Sequence, residues 1–248
     1  MGAIAIYSTK GGVGKSTIAA SLAWCSAAHS KHTTLLWDLD PNGGGSFLFG
    51  VEPARRAKAE RAFADEEIDG LVWSSGYERL DVLPADASLR ALDATLLKLG
   101  KKRRLARLVE RLEQDYQRIV LDCPPVLNEL SAQVMRAVDA VIVPLTPSQL
   151  SMRALEQVRA DLAANHKRHP PLLPVLSMID RRRASHRAAI EEHPHWPVIP
   201  MAAAVEQMAA RQAAVGAFAP SSPAAQAFDR LWAGIERKLV ADDAPRGG

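Results

Sequence analysis

Short apolar runs alternate along the chain with longer segments in which apolar residues recur every three or four positions. The apolar runs cover residues 4–8, 34–37, 80–83, 118–121, 140–144 and 173–179. Runs of this kind are typical of strands buried on both faces, as in a parallel sheet whose crossover connections are helices. The pattern therefore predicts an α/β fold with a mainly parallel, twisted sheet flanked by helices on both faces.

Two of the helical segments carry a clear apolar stripe. Residues 101–116 have theirs at Leu105, Leu108, Val109 and Leu112. This spacing predicts a helix that packs on the sheet and directs its arginines outward. Near the end of the chain a second stripe consists of Phe228, Leu231, Trp232, Ile235 and Leu239. We predict a closing helix packed in the core; a helix lying on a membrane surface is the alternative, but acidic residues rather than a basic tip follow this one.

Length and composition favour one domain. With 248 residues, 48% of them hydrophobic, the chain can bury a large core, so we predict a single domain over residues 1–240 and a short disordered tail over residues 241–248. The sequence shows neither a membrane span nor a signal peptide. Cys25 and Cys123 lie outside any Cys-x-x-Cys spacing, which suggests neither a disulfide framework nor a zinc site. We expect a reducing, cytoplasmic location.

Positive charge is concentrated in two places, although the net charge of +3 is modest. The first cluster consists of Lys101, Lys102, Arg103 and Arg104. The second consists of Arg181, Arg182, Arg183 and Arg187, with Lys167 and Arg168 nearby. A local excess of this kind attracts phosphate backbones. Solvated helix faces are the other interpretation, and both interpretations stay open for either cluster.

A glycine-rich loop joins the first predicted strand to the first predicted helix. Its residues are Lys10, Gly11, Gly12, Val13, Gly14, Lys15, Ser16 and Thr17. Glycines let the backbone N–H groups turn inward around phosphates, and the helix that follows adds its positive dipole end. We expect Lys15 to bridge the β- and γ-phosphates, the Ser16 hydroxyl to bind Mg²⁺, and Thr17 to reach the α-phosphate side. The strict Walker A pattern has glycine where this chain has Thr9; here a second lysine, Lys10, opens the loop.

Acidic residues follow two of the predicted strands. Asp38 and Asp40 alternate along one strand, which predicts that both face the glycine-rich loop; solvated acids in an ordinary turn are the alternative. Asp122 ends the apolar run 118–121, as in a Walker B segment. A carboxylate at the carboxyl end of a parallel strand can hold magnesium waters near the phosphate loop. We expect the neighbouring Cys123 to be a buried packing residue.

The glycine-rich loop resembles the deviant Walker A box of the ParA/MinD family of P-loop ATPases (SIMIBI type), and the resemblance extends over most of the chain. It implies an ATP-sandwich homodimer in which Lys10 crosses the interface to the partner's nucleotide. It also implies that Asp38 belongs to the magnesium shell and that Asp40 orients the attacking water. The catalytic residues expected on this basis are Lys10, Lys15 and Asp40, and the expected metal residues are Ser16, Asp38 and Asp122.

Three further segments resemble motifs of the same family. Residues 122–125, Asp-Cys-Pro-Pro, resemble its second switch. Residues 177–182 and 198–201 resemble the two segments that enclose the adenine base, which implies contacts from Met178, Asp180, Pro200 and Met201. Relatives commonly have Gln where this chain has Asn42, and Arg where it has Met201, so polar contacts at these positions are not expected to carry over.

The resemblance implies slow ATP hydrolysis that times a cycle of dimer assembly, with ATP or ADP and Mg²⁺ as cofactors. Three functions compete. In the first, which we favour, the dimer binds DNA without sequence preference through the arginines at residues 181–187 and a ParB-like partner stimulates hydrolysis on the nucleoid. The second is a MinD-like membrane positioner, without stable membrane insertion. The third is an accessory switch protein of a secretion or cellulose system.

Overall fold

One sheet organises the chain, of which the computed structural model describes residues 2–53, 58–64, 68, 70–100, 102–165 and 169–243. Its strands are β1 (Gly2–Ile6), β2 (Thr34–Asp38), β3 (Trp73–Ser74), β4 (Leu80–Leu83), β5 (Arg118–Asp122), β6 (Ala140–Leu145), β7 (Leu172–Ile179) and β8 (Val198–Pro200). They lie in the order β3-β4-β2-β5-β1-β6-β7-β8. All neighbours are parallel except β3 and β4. The predicted mainly parallel sheet is confirmed.

Helices cover both faces of the sheet. They are α1 (Lys15–Ala28), α2 (Gly44–Phe47), α3 (Arg61–Ala64), α4 (Leu92–Leu99), α5 (Arg104–Leu112), α6 (Glu129–Ala137), α7 (Gln149–Asn165), α8 (Ala184–Glu192), α9 (Ala203–Arg211), α10 (Val215–Phe218) and α11 (Pro223–Asp243), with a 3₁₀ helix at Ala87–Ala91. Side chains alternate along each strand, so Ala3 and Ala5 belong to one core and Ile4 and Ile6 to the other. Helices α4 to α7 pack in the first core and α1, α9, α10 and α11 in the second.

The closing helix packs in the core, as predicted. The apolar stripe of α11 is buried beside α1, so it is not a face presented to a membrane surface. The helix begins at Pro223 and ends at Asp243, so residues 241–243 belong to the helix rather than to the predicted tail. The remainder of that tail, residues 244–248, lies outside the described residues. Among the described helices, none combines the length and the apolar character needed to cross a membrane.

One prediction about α5 is wrong for a single residue. We expected the arginines of this helix to point outward, and Arg107 and Arg111 are exposed. Arg104, in contrast, is buried, and its Nε donates a hydrogen bond to the backbone carbonyl of Phe63 at 2.6 Å. The side chain therefore reaches α3 and binds a carbonyl group of that short helix. Arg104 therefore contributes to packing and cannot act as a surface contact. Lys101 lies outside the described residues.

Candidate active site

The loop from β1 to α1 ends at an uncapped helix N-terminus. Gly12 and Gly14 have φ angles of 71° and 88°, a backbone region that residues other than glycine rarely adopt. A Cβ atom on Gly14 would also lie 3.2 Å from Ser177 Oγ. Gly14 provides no side chain to cap α1, and the helix begins directly at Lys15, which is largely buried. The first turn of α1 thus presents its N–H groups and a cation to an anion, the arrangement that binds phosphate.

Two buried carboxylates lie side by side at the carboxyl edge of the sheet. Asp38 ends β2, Asp122 ends β5, and the two are register partners with no exposed surface. Asp38 Oδ2 accepts hydrogen bonds from the backbone N–H and the hydroxyl of Ser46, both at 2.8 Å. Its Oδ1 accepts one from the Asp40 N–H at 3.1 Å. Both oxygens of Asp122, in contrast, are buried without a hydrogen-bond partner among the described residues.

Burial raises the pKa of both acids. The pKa of Asp38 is raised to about 6 by burial, against the lowering effect of its hydrogen bonds from Ser46. The pKa of Asp122 is raised well above its usual range by burial and then by the Asp38 carboxylate, whereas the nearby Ser16 hydroxyl and Lys15 ammonium lower it. Two adjacent buried acids favour the binding of a cation, because a cation relieves both their desolvation and their mutual repulsion.

Glycines bring the backbone close to this pair. A Cβ atom on Gly45 would lie 3.0 Å from Asp122 Oδ2 and 3.2 Å from Asp38 Oδ2, and one on Gly44 would lie 2.7 Å from Ser16 Oγ. The backbone at the start of α2 therefore lies so close to Ser16 and the two acids that a side chain at Gly44 or Gly45 would crowd them. Mg²⁺ prefers oxygen ligands, and Ser16, Asp38 and Asp122 offer them. The unpartnered oxygens of Asp122 fit such an ion.

Asp40 lies beyond the end of β2, and not within the strand as the alternation suggested. Its Oδ1 accepts a hydrogen bond from the backbone N–H of Asn42 at 3.0 Å. The side chain is partly exposed and borders a surface cleft formed with Pro124 and Val126 from the segment after β5. The carboxylate is therefore open to solvent beside the acid pair, and its role in orienting water stays a prediction.

Lys10 is turned toward its own chain. Its Nζ donates hydrogen bonds to Thr146 Oγ1 at 3.2 Å and to Ser148 Oγ and Ser151 Oγ, both at 3.1 Å. Thr146 follows β6, Ser148 immediately precedes α7, and Ser151 lies in its first turn. We call these three residues the hydroxyl cluster. The predicted contact of Lys10 with a partner's nucleotide requires it to leave this cluster.

An apolar cleft opens beside the glycine-rich loop. It is lined by Gly14 and Thr17 from the loop and α1, and by Met178, Pro200 and Met201 from the ends of β7 and β8. Met178 has a φ of 58° at a break in the register between these strands. Three of the four residues predicted to contact a base thus line one cleft next to the phosphate-binding helix. The fourth, Asp180, is not part of its described lining.

Comparison with known proteins identifies the family. A family model described as an AAA domain matches residues 1–173. The chromosome partitioning protein ParA of Caulobacter vibrioides is 32% identical over 206 residues, which are 78% of this chain and 76% of that protein. The chromosome-partitioning ATPase Soj of Thermus thermophilus is 31% identical over 243 residues, 92% of each chain. The chain belongs to the ParA/MinD family of P-loop ATPases.

Two further similarities are limited, one in coverage and one in sequence identity. The sporulation initiation inhibitor protein Soj of Bacillus subtilis is 32% identical over 158 residues, so the chain spans 62% of the length of that relative. The structure of apo McdA from Cyanothece superposes with a TM-score of 0.81 at 20% identity, covering 96% of this chain and 99% of that one. At this identity the likeness shows the ParA/MinD-type fold and nothing finer.

The arginines predicted to contact DNA lie around the start of α8 in this ParA/MinD-family chain, and all four are exposed. Arg182 donates from Nε and Nη2 to the two carboxylate oxygens of Asp180, at 2.9 and 3.0 Å. This hydrogen bonding lowers the pKa of Asp180 to about 2. Arg187 Nη1 donates to the carbonyls of Arg181 and Arg182, both at 2.9 Å. Asp180 thus offsets part of the positive charge of this cluster.

The structure describes only some of the remaining basic residues. In the first cluster, Lys102 and Arg103 are exposed, and Arg103 Nη2 lies 3.1 Å from Glu110 Oε1. The residues predicted to extend the second cluster, Lys167 and Arg168, lie outside the described residues. Of the second predicted cluster, the described residues are the four arginines around α8.

Several residues of the ParA/MinD-family site escaped the sequence analysis. Ser46 fixes Asp38, and Glu206 borders the apolar cleft. The hydroxyl cluster binds Lys10 from more than 130 positions away, as the separation of 136 residues between Lys10 and Thr146 shows. A serine shortly after three consecutive glycines was a usable signal for Ser46. No local pattern indicates the hydroxyl cluster, because serine and threonine at a strand end and a helix start are common turn residues.

Proposed function

We propose that the chain hydrolyses ATP slowly, forms an ATP-sandwich homodimer, and in that state binds DNA without sequence preference to position a chromosome, a plasmid or another cargo. The observation that carries the ATPase part is the pair formed by Asp38 and Asp122. Both are fully buried beside Ser16 and Lys15, and the Asp122 oxygens have no partner among the described residues. A buried acid pair in which one carboxylate lacks hydrogen-bond partners costs stability, so it indicates a site that favours a cation.

The residues divide the chemistry among them. Lys15 and the first N–H groups of α1 hold the β- and γ-phosphates. Ser16, Asp38 and Asp122 would hold Mg²⁺, and the ion would screen the phosphate charge. Asp40 orients water toward the γ-phosphorus from its open position beside the acid pair. Lys10 of the partner neutralises charge on the transferring phosphoryl group. Met178, Pro200 and Met201 bind the base through apolar contact.

The DNA part of the proposal is supported by the arginines around α8. They are exposed, lie close together and are held in place by Asp180 and by backbone carbonyls. Arginines presented in this way bind phosphate oxygens without reading the base sequence. Dimerisation doubles the basic surface and so couples DNA affinity to bound ATP. A ParB-like adaptor that stimulates hydrolysis then releases the dimer from DNA.

The membrane alternative receives less support from the structure than the DNA proposal. The apolar stripe of α11, the segment proposed for a membrane surface, packs against α1 inside the second core. A helix that is part of the core would have to leave it, at a cost of about 1.5–3 kcal/mol for each large side chain exposed.

DNA binding across a salt series tests the proposal directly. Binding of mixed-sequence duplex DNA is measured with ATP, with ADP and without nucleotide, beside an anionic-vesicle control. We expect tight binding with ATP alone, with log affinity falling steeply and linearly against log salt. The triple variant Arg181→Ala, Arg182→Ala, Arg183→Ala should reduce both affinity and salt slope. The matched control is the double variant Lys102→Ala, Arg103→Ala, which removes exposed charge elsewhere.

The outcomes separate the alternatives. Full DNA affinity in the triple variant, with loss in the control, would move the DNA surface to the region of Lys102 and Arg103. ATP-dependent binding to vesicles without binding to DNA would support the membrane alternative. Nucleotide binding without hydrolysis and without either interaction would support an accessory switch. Analytical ultracentrifugation on the same samples shows whether ATP-dependent dimerisation survives the triple substitution, as the proposal requires.

A further inference from the structure

A second group of metal-ligating side chains lies at the other end of α1, away from the glycine-rich loop. Cys25 lies in the last turn of α1, His29 is its C-cap residue, and Asp229 lies on α11. His29 Nε2 lies 3.1 Å from Asp229 Oδ1, and Cys25 Sγ donates to the same oxygen at 3.5 Å. The three ligand atoms all lie within 4.8 Å of one another. Sulfur, nitrogen and oxygen donors thus converge on one point between two helices.

The two helices fix these side chains independently. Cys25 and His29 are four residues apart, so they share one face of α1. The Trp24 ring meets the His29 ring edge-on, with centroids 5.0 Å apart. Trp24 is itself packed against Gly216, where a Cβ atom would collide with the indole ring. Packing of Trp24 against both Gly216 and His29 therefore restrains the His29 ring.

The facing helix is anchored in the same region. On α11, Phe228 and Trp232 flank Asp229 and are buried in the second core. Trp232 Nε1 donates to Ser30 Oγ at 2.8 Å, which ties α11 to the residues that follow α1. Asp229 is therefore held opposite Cys25 and His29 by contacts on both sides along the helix.

We propose that Cys25, His29 and Asp229 form a binding site for a transition-metal ion, with Zn²⁺ as the ion that the donor set fits best. Zn²⁺ accepts thiolate, imidazole and carboxylate ligands together, in a tetrahedral arrangement with bonds of about 2.0–2.3 Å. Ligand atoms around such an ion are roughly 3.3–3.7 Å apart, which the observed separations reach with small side-chain movements. Mg²⁺ is a poor match because it selects oxygen ligands.

The fourth ligand position faces solvent. The side chains of His29 and Asp229 are 49% and 40% exposed, whereas Cys25 is buried beneath them. An ion therefore enters from the His29 side, and water completes its coordination. As the sulfur–metal bond forms, the thiol of Cys25 releases its proton to solvent, so that a thiolate is the ligand. The negative end of the α1 dipole adds to the attraction for a cation.

This site is distinct from the proposed magnesium site. Ser16 lies in the first turn of α1 and Cys25 in its last, about 14 Å away along the helix axis at 1.5 Å per residue. An ion bound at this site would clamp α1, the helix that starts with Lys15, to α11. The inference does not rest on the proposed ATPase cycle, because the ligands and their packing lie outside the nucleotide site.

Co²⁺ titration of the metal-free protein in excess Mg²⁺ tests the site. Co²⁺ adopts the same tetrahedral geometry, and a thiolate ligand gives a near-ultraviolet charge-transfer band. We expect one Co²⁺ per chain with this band, and stoichiometric loss of the band when Zn²⁺ is added. Cys25→Ser should abolish the band, and His29→Gln and Asp229→Asn should each weaken Co²⁺ binding at least about tenfold.

Two matched controls localise the signal. Cys123→Ser removes the other cysteine, which lies beside the acid pair, and should keep the band. His32→Gln removes a nearby histidine that contacts Glu236 at 3.0 Å and is not one of the three proposed ligands. This variant should also keep the band. His29 is exposed, so His29→Gln retains a folded protein even if Cys25→Ser does not. A band absent from the unmodified protein, a band retained in Cys25→Ser, or an unchanged Co²⁺ affinity in His29→Gln would overturn the assignment.

Discussion

Lys10 Nζ and Ser151 Oγ lie 3.1 Å apart within one chain, and Ser151 is fully buried. In the proposed dimer this lysine contacts the partner's nucleotide, but here it is hydrogen-bonded within its own chain. The dimer must break these contacts before it gains the new ones, so the hydroxyl cluster sets part of the free energy of assembly.

Ser151→Ala should therefore favour dimerisation. The loss of one hydrogen bond to a charged group, worth about 1.5 kcal/mol, lowers the cost of releasing Lys10. Both protomers of the symmetric dimer release Lys10, so the two contributions add to about 3 kcal/mol. We therefore expect a roughly hundredfold lower protein concentration for half-maximal dimerisation at saturating ATP, measured by sedimentation velocity. The same substitution in a Lys10→Ala background is the control. An equal shift in that background would show that Ser151 acts through something other than Lys10.

Asp40→Asn should remove turnover while leaving ATP binding intact. Asparagine keeps an oxygen that can accept the hydrogen bond from the Asn42 N–H, so the turn is preserved while the charge that orients water is lost. We expect hydrolysis to fall at least about a hundredfold, with ATP affinity changed less than about threefold. Phosphate release and equilibrium nucleotide binding measure the two quantities. Turnover close to that of the unmodified chain would reject this role for Asp40.

Asp122→Asn and Asp38→Asn should move stability in opposite directions. Asp122 is an unpartnered buried acid, so its neutral counterpart should raise the free energy of unfolding of the metal-free protein by about 1–3 kcal/mol. Asp38 accepts three hydrogen bonds, and an amide NH₂ would face donors there, so Asp38→Asn should lower it by a similar amount. Urea unfolding compares the two variants. Both should lose the added stabilisation by Mg²⁺ with ATP.

The acid pair also predicts a pH dependence. Because the folded-state pKa of Asp38 is raised to about 6 and that of Asp122 is raised further, the folded chain holds protons that the unfolded chain has lost. The contribution to stability is complete below about pH 4 and is lost as the pH rises through 6 and beyond. The unfolding free energy of the unmodified protein, minus that of Asp122→Asn, should therefore fall as the pH rises above about 4. A flat difference would show that Asp122 has an ordinary pKa.

The features of this structure that the sequence could predict are those determined by residues close together in the chain. The loop from Lys10 to Thr17 and the strand that ends at Asp122 are contiguous, so their spacing indicates both the fold and the phosphate and metal chemistry. Apolar periodicity likewise predicted that α11 packs in the core. Cys123 proved to be buried, as we expected because no second cysteine lies in a plausible ligand position.

What sequence did not reveal depends on long-range proximity. The partners of Lys10 lie on β6 and α7, and Asp229 reaches Cys25 across 204 positions. The cysteine-spacing rule considers local motifs, whereas the three side chains proposed to bind a metal ion come from both ends of the chain. The burial of Arg104 depended on the position of α3, and the left-handed backbone of Met178 on a register break between strands. Such features arise only once the topology is known.

The place of β1 in the middle of the sheet has a consequence for the chain during its synthesis. β1 pairs with β5 and β6, and α1 is covered by α11, so β1 and α1 are synthesised well before the elements that cover them. At about 5–20 residues per second, the apolar face of α1 remains uncovered for on the order of ten seconds on the ribosome. The nascent chain carries the nucleotide loop before it can form the pocket, which makes its first helix a natural substrate for a holding chaperone.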